Sequence, residues 1–237
     1  MIGARGQVSN TWMFNKNLSD NGDLVDYKGT FTGGGGISVI QYLNETVGVE
    51  VGLGVNTVAQ RTQGEFETFF GDDIDYVYET SVDYLEITAL FKALSDGGSY
   101  FEVGPMIMLN QSETENVIDI SDPDLEDDIF GTQTQRDNRV AEDFSKTLLF
   151  GVIGFGVNFD VADNLMAGVG LRLAYSFSDS VEQVTEDQYN EGDPDLGWYS
   201  TIAHTDAPLD EGEYDPVTTN AAIAGLNIAL YYTIGGN

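Results

Sequence analysis

Between Val47 and Asn56 the odd positions are Val47, Val49, Val51, Leu53 and Val55, and the even ones are Gly48, Glu50, Gly52, Gly54 and Asn56. Alternate residues of a β-strand face opposite sides, so this segment has one continuous apolar face and one that is small or charged. A soluble sheet buries its apolar face and turns long polar side chains to water. Here the second face is mostly glycine with one carboxylate, which suits a single-walled barrel, apolar toward lipid and tightly filled inside. The expected fold is all-β: an eight-stranded antiparallel up-and-down transmembrane β-barrel with long extracellular loops and short periplasmic turns, one domain over residues 1–237.

Eight segments carry the alternation, near 2–14, 29–43, 46–61, 79–94, 98–112, 144–160, 164–178 and 220–235. Tight turns join three pairs of them, at Leu43-Asn44-Glu45-Thr46, Ser95-Asp96-Gly97-Gly98 and Val161-Ala162-Asp163-Asn164, with the residue types that hairpins use. The other connections, near 15–28, 62–78, 113–143 and 179–219, are long and polar. Both termini fall on the short-turn side, which predicts periplasmic termini and extracellular loops. Parity turns Ile153, Phe155, Leu171, Leu173, Leu226 and Ile228 outward, and Gly154, Gly156, Gly168, Gly170 and Asn227 inward. Pro105 would cost a ladder hydrogen bond in a closed wall, so a bulge or local break is expected there. Aromatics are expected in two girdles: Trp12, Phe14, Phe31, Tyr175 and Phe177 at the loop ends, and Tyr42, Phe91, Phe101, Phe159, Tyr231 and Tyr232 at the turn ends.

The formal charge of −31 comes from 40 acidic and 9 basic residues, which argues against nucleic acid or an anionic lipid surface as a partner. There is no cysteine, hence no disulfide, thiolate nucleophile or thiolate metal site. No run of about 18 apolar residues exists to form a transmembrane helix. Arg5, Gln7, Ser9 and Asn10 interrupt any apolar signal region after Met1, so the chain reads as a mature or trimmed form of an exported protein. Residues 113–143 contain 11 acids, and residues 178–219 contain 12 with no Lys or Arg. With little periodic apolar content, these segments are expected to lie outside the core as solvated surface.

Tyr84-Leu85-Glu86-Ile87, Tyr100-Phe101-Glu102-Val103-Gly104-Pro105 and Gly154-Phe155-Gly156-Val157 resemble the PorT-like outer-membrane β-barrel family, related in architecture to small OmpA-type barrels. The resemblance spans the third to eighth strands, with Thr88 where the family pattern has proline. It implies an eight-stranded barrel in the outer membrane of a Gram-negative bacterium, and it carries over no functional residue.

Parity also places Arg5, Glu50, Glu86, Lys92, Glu102 and Arg172 inside the barrel. Ionised groups in so narrow an interior must pair, and Arg172 is the expected hub because its planar fork can meet two carboxylates. Inward glycines are expected to make room for Arg172, Tyr84, Met106 and Met108. Eight strands leave an interior that side chains can fill, so a structural plug is expected over an ion or proton path. Asp122, Asp124, Glu126, Asp127 and Asp128 are candidate calcium or magnesium ligands, although the spacing of a calcium loop is absent. Such ions would bridge to lipopolysaccharide phosphates near the membrane boundary. No cofactor and no catalytic residue is otherwise indicated. Gly33-Gly34-Gly35-Gly36 lacks the Gly-Lys-Ser/Thr and helix of a phosphate loop. The single histidine, His204, lies beside Thr201 and Asp206 and reads as surface. The expected role is structural or surface-interacting, with outer-membrane lipid, lipopolysaccharide and envelope or surface proteins as partners. The alternatives are an outer-leaflet lipid hydrolase or acyltransferase using His204, and a narrow ion channel or porin.

Overall fold

A computed structural model describes residues 1–21, 25–67, 73–121, 134–135, 143–191, 198–206 and 212–234. The strands are β1 (Ile2–Phe14), β2 (Asp26–Lys28), β3 (Phe31–Tyr42), β4 (Val47–Glu67), β5 (Asp73–Leu94), β6 (Ser99–Ile120), β7 (Thr134–Gln135), β8 (Thr147–Ala162), β9 (Leu165–Ser176) and β10 (Asn220–Tyr232). Neighbours run β4-β3-β1-β10-β9-β8-β6-β5, and β5 pairs back with β4. The result is a closed ring of eight antiparallel strands. The short strands β2 and β7 lie off this ring, paired to β4 and β6.

The alternation fixes which side of the wall each residue takes. Leu53, Phe155, Leu171, Leu173, Leu226 and Ile228 are exposed on the outer face, while Glu50, Met108, Val152 and Ala174 are buried. Hairpin geometry sets the short ends. Asn44 accepts from the Thr46 amide at 2.9 Å in the first turn. In the second, Gly98 takes φ +80°, a left-handed value that a side chain would strain.

The wall is uneven in height. A tilted strand needs about 9–11 residues to cross a bilayer, and β9 has 12. By contrast β4 has 21 and β5 and β6 have 22 each. The pairing of β4 with β5 continues from Val47 opposite Ala93 to Glu67 opposite Asp73. Most of the expected loop 62–78 is therefore a rising hairpin, and β6 claims residues 113–120 as well. Cross-strand pairing continues because Ile74, Tyr76, Tyr78 and Val82 present one buried face through the extension.

Pro105 acts more mildly than expected. The β5–β6 ladder passes from Thr88 opposite Met106 to Phe91 opposite Val103 with its register unchanged. It skips the proline, which has no N–H to offer. The register shifts fall higher up, leaving Gln111 and Ile118 as extra residues on β6. Two residues assigned to the turn-end girdle are also turned the other way. Tyr231 is buried in the lumen and Tyr42 is partly buried, because each shares the inward parity of its strand.

Lysine placed at Leu53, Leu171 or Ile228 should weaken folding into bilayers by about 2–4 kcal/mol near the midplane. Urea titration in lipid vesicles measures this. Spin labels at the same sites should report contact with lipid, and water contact there would refute the outward assignment.

Candidate functional site

Among the described residues the lumen is where charged side chains from many strands converge, and it is built in two tiers. The tier toward the short turns is polar. Arg5 on β1, Glu50 on β4, Glu86 and Lys92 on β5, Glu102 on β6 and Arg172 on β9 all point into it. Glu50, Glu86, Lys92 and Glu102 are at most 3 % exposed.

Lys92 is the link in this network. Its Nζ lies 2.6 Å from Glu50 Oε2 and 3.4 Å from Glu102 Oε2. Among the described residues Arg172 pairs with Glu102 alone, through Nε at 2.8 Å and Nη2 at 2.7 Å to the same Oε1. The expected hub is thus a terminal member, and the compact ammonium between two acids takes that place. Arg5 pairs with Glu86, whose other oxygen accepts from Asn56 Nδ2 at 2.9 Å. Three cations and three carboxylates leave no net formal charge, as burial requires.

Aromatic side chains complete the tier. The Lys92 ammonium sits 4.5 Å from the Tyr100 ring centre and 5.4 Å from that of Tyr231, within cation–π range. The Tyr231 hydroxyl donates to Glu50 Oε2 at 3.2 Å. Tyr100 and Tyr231 were not among the expected lumenal groups, although the inward parity shared with Glu102 and Asn227 would have found them. The inward glycines serve different occupants from those expected. A Cβ on Gly154 would lie 2.6 Å from the Glu102 carboxylate, one on Gly52 would lie 3.2 Å from the Arg5 guanidinium, and one on Gly170 would strike Tyr100.

The tier toward the long connections is mainly apolar, with Thr11, Gln60, Thr80 and Glu113 buried among its apolar side chains. Met13, Tyr84, Met106, Met108, Phe150 and Ile223 are all buried there. Residues of the connections join this core instead of leaving it open: Leu18, Phe144, Val181, Tyr199, Ile202 and Ala203 belong to the same cluster. The described residues between 179 and 219 are therefore not simply solvated surface. Their apolar side chains are too few for a separate core but enough to extend the barrel's own.

Asn15 pins this closure. Its Oδ1 caps the helix Lys16–Asp20 by accepting from the amides of Asn17 and Leu18, as an N-cap side chain does. Its Nδ2 donates to Ala203 O at 3.1 Å and Thr219 Oγ1 at 2.9 Å. Asn17 donates to Ala203 O at 3.2 Å and Asp215 O at 2.9 Å. The Tyr199 hydroxyl donates to Met13 O at 3.3 Å. Burial holds that phenol well above its ordinary pKa range, so it remains a donor.

His204 belongs to the closure too. It is 2 % exposed, against the surface position expected. Its Nδ1 lies 2.8 Å from the Ser200 carbonyl oxygen, and its ring stacks on Tyr214. Asp122, Asp124, Glu126, Asp127 and Asp128 lie outside the described residues. Among the described residues no group of three or more Asp, Glu or His side chains is placed to hold a metal ion.

An eight-stranded closed wall with an apolar outside and a paired, filled inside defines an outer-membrane β-barrel. The chain belongs to the outer membrane protein beta-barrel domain family, whose pattern matches residues 2–182. That membership places it in the bacterial outer membrane. No curated protein sequence matches the chain. Solved structures similar to it include Neisserial surface protein A, 9% identical, covering 98% of this chain and 97% of that one with a TM-score of 0.40. OprG from Pseudomonas aeruginosa is 11% identical, with 98% and 96% covered and a TM-score of 0.36. Ail of Yersinia pestis is 10% identical, with 96% and 97% covered and a TM-score of 0.33. The family assignment rests on the match over residues 2–182.

Lys92→Met should destabilise the barrel by about 3–5 kcal/mol, because it strands buried carboxylates. Adding Glu50→Gln should restore much of that loss, and additive losses in vesicle unfolding would show that the pair is not coupled. Asn15→Ala should cost about 1–2 kcal/mol through the lost cap. It should also speed proteolysis within residues 178–219 while strand signals persist.

Proposed function

We propose that this protein is a non-conducting, non-enzymatic barrel of the PorT-like type that works through the surface it presents outside the cell. The observation that carries this reading is the filled lumen, paired ions below and apolar side chains capped by the connections above. Eight strands leave room for little more than side chains, so an ion meets a charge network and then a tightly filled, mainly apolar tier. The burial of His204 and its engagement with the Ser200 carbonyl favour a structural histidine over a general base facing lipid.

In this reading the long connections are extracellular and the termini periplasmic, as the alternation of connection lengths supports. The presented surface is the tall β4–β5–β6 hairpin region with its acidic flanks. Glu65 lies directly opposite Asp75, and Asp26, Lys28, Glu65, Asp75 and Asp119 line an open cleft of about 510 Å³. Arg61 neutralises Glu79 at 2.5 Å lower down, and β4–β6 otherwise carry mainly carboxylates at the top. Such a surface suits cationic segments of envelope or surface proteins. Calcium or magnesium, with Asp122, Asp124, Glu126, Asp127 and Asp128 among the candidate ligands, would link it to lipopolysaccharide phosphates.

Purified protein in planar bilayers should show no unitary conductance, and steady single-channel openings would overturn the closed-lumen reading. Limited proteolysis should show residues 113–143 protected by millimolar calcium or magnesium, and less so by sodium chloride at matched ionic strength, with the barrel core unaffected. Equal cleavage in all conditions would leave those segments as inert surface. His204→Ala should leave lipid A substrates untouched, as the unsubstituted protein does, and any turnover abolished by the substitution would restore the enzymatic alternative.

A further inference from the structure

The polar tier contains amides that its ion pairs leave unused. Asn158 on β8 and Asn227 on β10 are 9 % and 8 % exposed. Neither the nitrogen nor the oxygen of either side-chain amide has a hydrogen-bond partner among the described residues. Arg172 Nη1 and Arg5 Nε are unpartnered as well. These four side chains line one cavity, with Gly168 and Ala229 on its wall and a volume of about 10 Å³. The space exists because position 168 lacks a side chain: a Cβ there would come within 2.8 Å of Asn158 Oδ1.

We infer that this cavity is a binding site for an ordered internal water molecule, which joins the Arg172 and Arg5 guanidiniums to the Asn158 and Asn227 amides. The volume is that of about one water centre, and a buried water needs two to four polar partners, which these side chains supply. The site offers acceptors as well as donors, and water alone among common occupants answers both. An anion fits less well, because three cations already balance three carboxylates in the tier and an added charge would go uncompensated in a low dielectric. The water ties β8 into the charge network, which β10 already joins through the Tyr231 hydroxyl and Glu50. The inference deepens the closed-lumen reading: if the polar tier is wet, the seal against permeation is the apolar tier and its cap.

Water-edited solid-state NMR of the full chain in lipid bilayers tests this. Magnetisation from water should reach the side-chain amides of Asn158 and Asn227 but not the methyls of Met106 and Met108. Amides that stay as dark as those methyls would overturn the water site. Transfer to the methyls as well would leave the site standing and overturn the closed lumen. Asn158→Leu supplies a second readout of opposite sign. It should lower the thermal midpoint if the amide holds a water, whereas a raised midpoint would mean the amide was unsatisfied and the cavity dry. Midpoints in sodium chloride and sodium gluconate of equal ionic strength should coincide, and stabilisation specific to chloride would replace water by an anion.

Discussion

The pairing of β4 with β5 is the contact on which everything else in this molecule rests. Within a bilayer no water is present to satisfy a backbone amide, so a sheet with open edges cannot persist there. The ladder from Val47–Ala93 upward joins the two ends of the sheet and removes both edges at once. Only a closed wall has an inside, and only a strand-period sequence can send apolar side chains to lipid while sending charges inward.

Closure then dictates the chemistry of the lumen. Ionised groups moved out of water are stable only in balanced sets, and the three cations and three carboxylates meet that condition through Lys92 as the bridge. Space is the second demand. Glycine opposite Glu102, Arg5 and Tyr100 removes volume where long side chains must cross a narrow bore. The same logic explains the opposite end. An apolar upper tier facing water would be costly, and the connections cover it with Leu18, Phe144 and Tyr199. Asn15 ties that cover to the end of β1, so the closure is hydrogen-bonded to the wall as well as packed on it.

The tall β4–β5–β6 region shows where local reading fails. The alternation that marks a membrane strand is sharp because one side meets lipid. Beyond the bilayer the outer face is polar, and Thr, Gln, Glu and Asp at alternate positions read as loop, although Tyr76, Tyr78 and Val82 keep the inner face buried. The strand ends were misplaced for that reason. The girdle assignments of Tyr42 and Tyr231 failed differently, since closeness to a strand end outweighed parity, and parity was the stronger signal.

The sequence by itself determined the class of fold, the inward or outward side of nearly every strand residue, the three tight turns and the six lumenal charges. Each follows from a period of two or from a few neighbouring residues, which are local physics. The tertiary structure decided which charges pair, since partners such as Lys92 and Glu50 are brought together only by the register of neighbouring strands. It also decided that His204, Tyr199 and Asn15 form a cap. That outcome depends on contacts between residues nearly two hundred positions apart, such as Asn15 with Ala203, for which no local pattern exists.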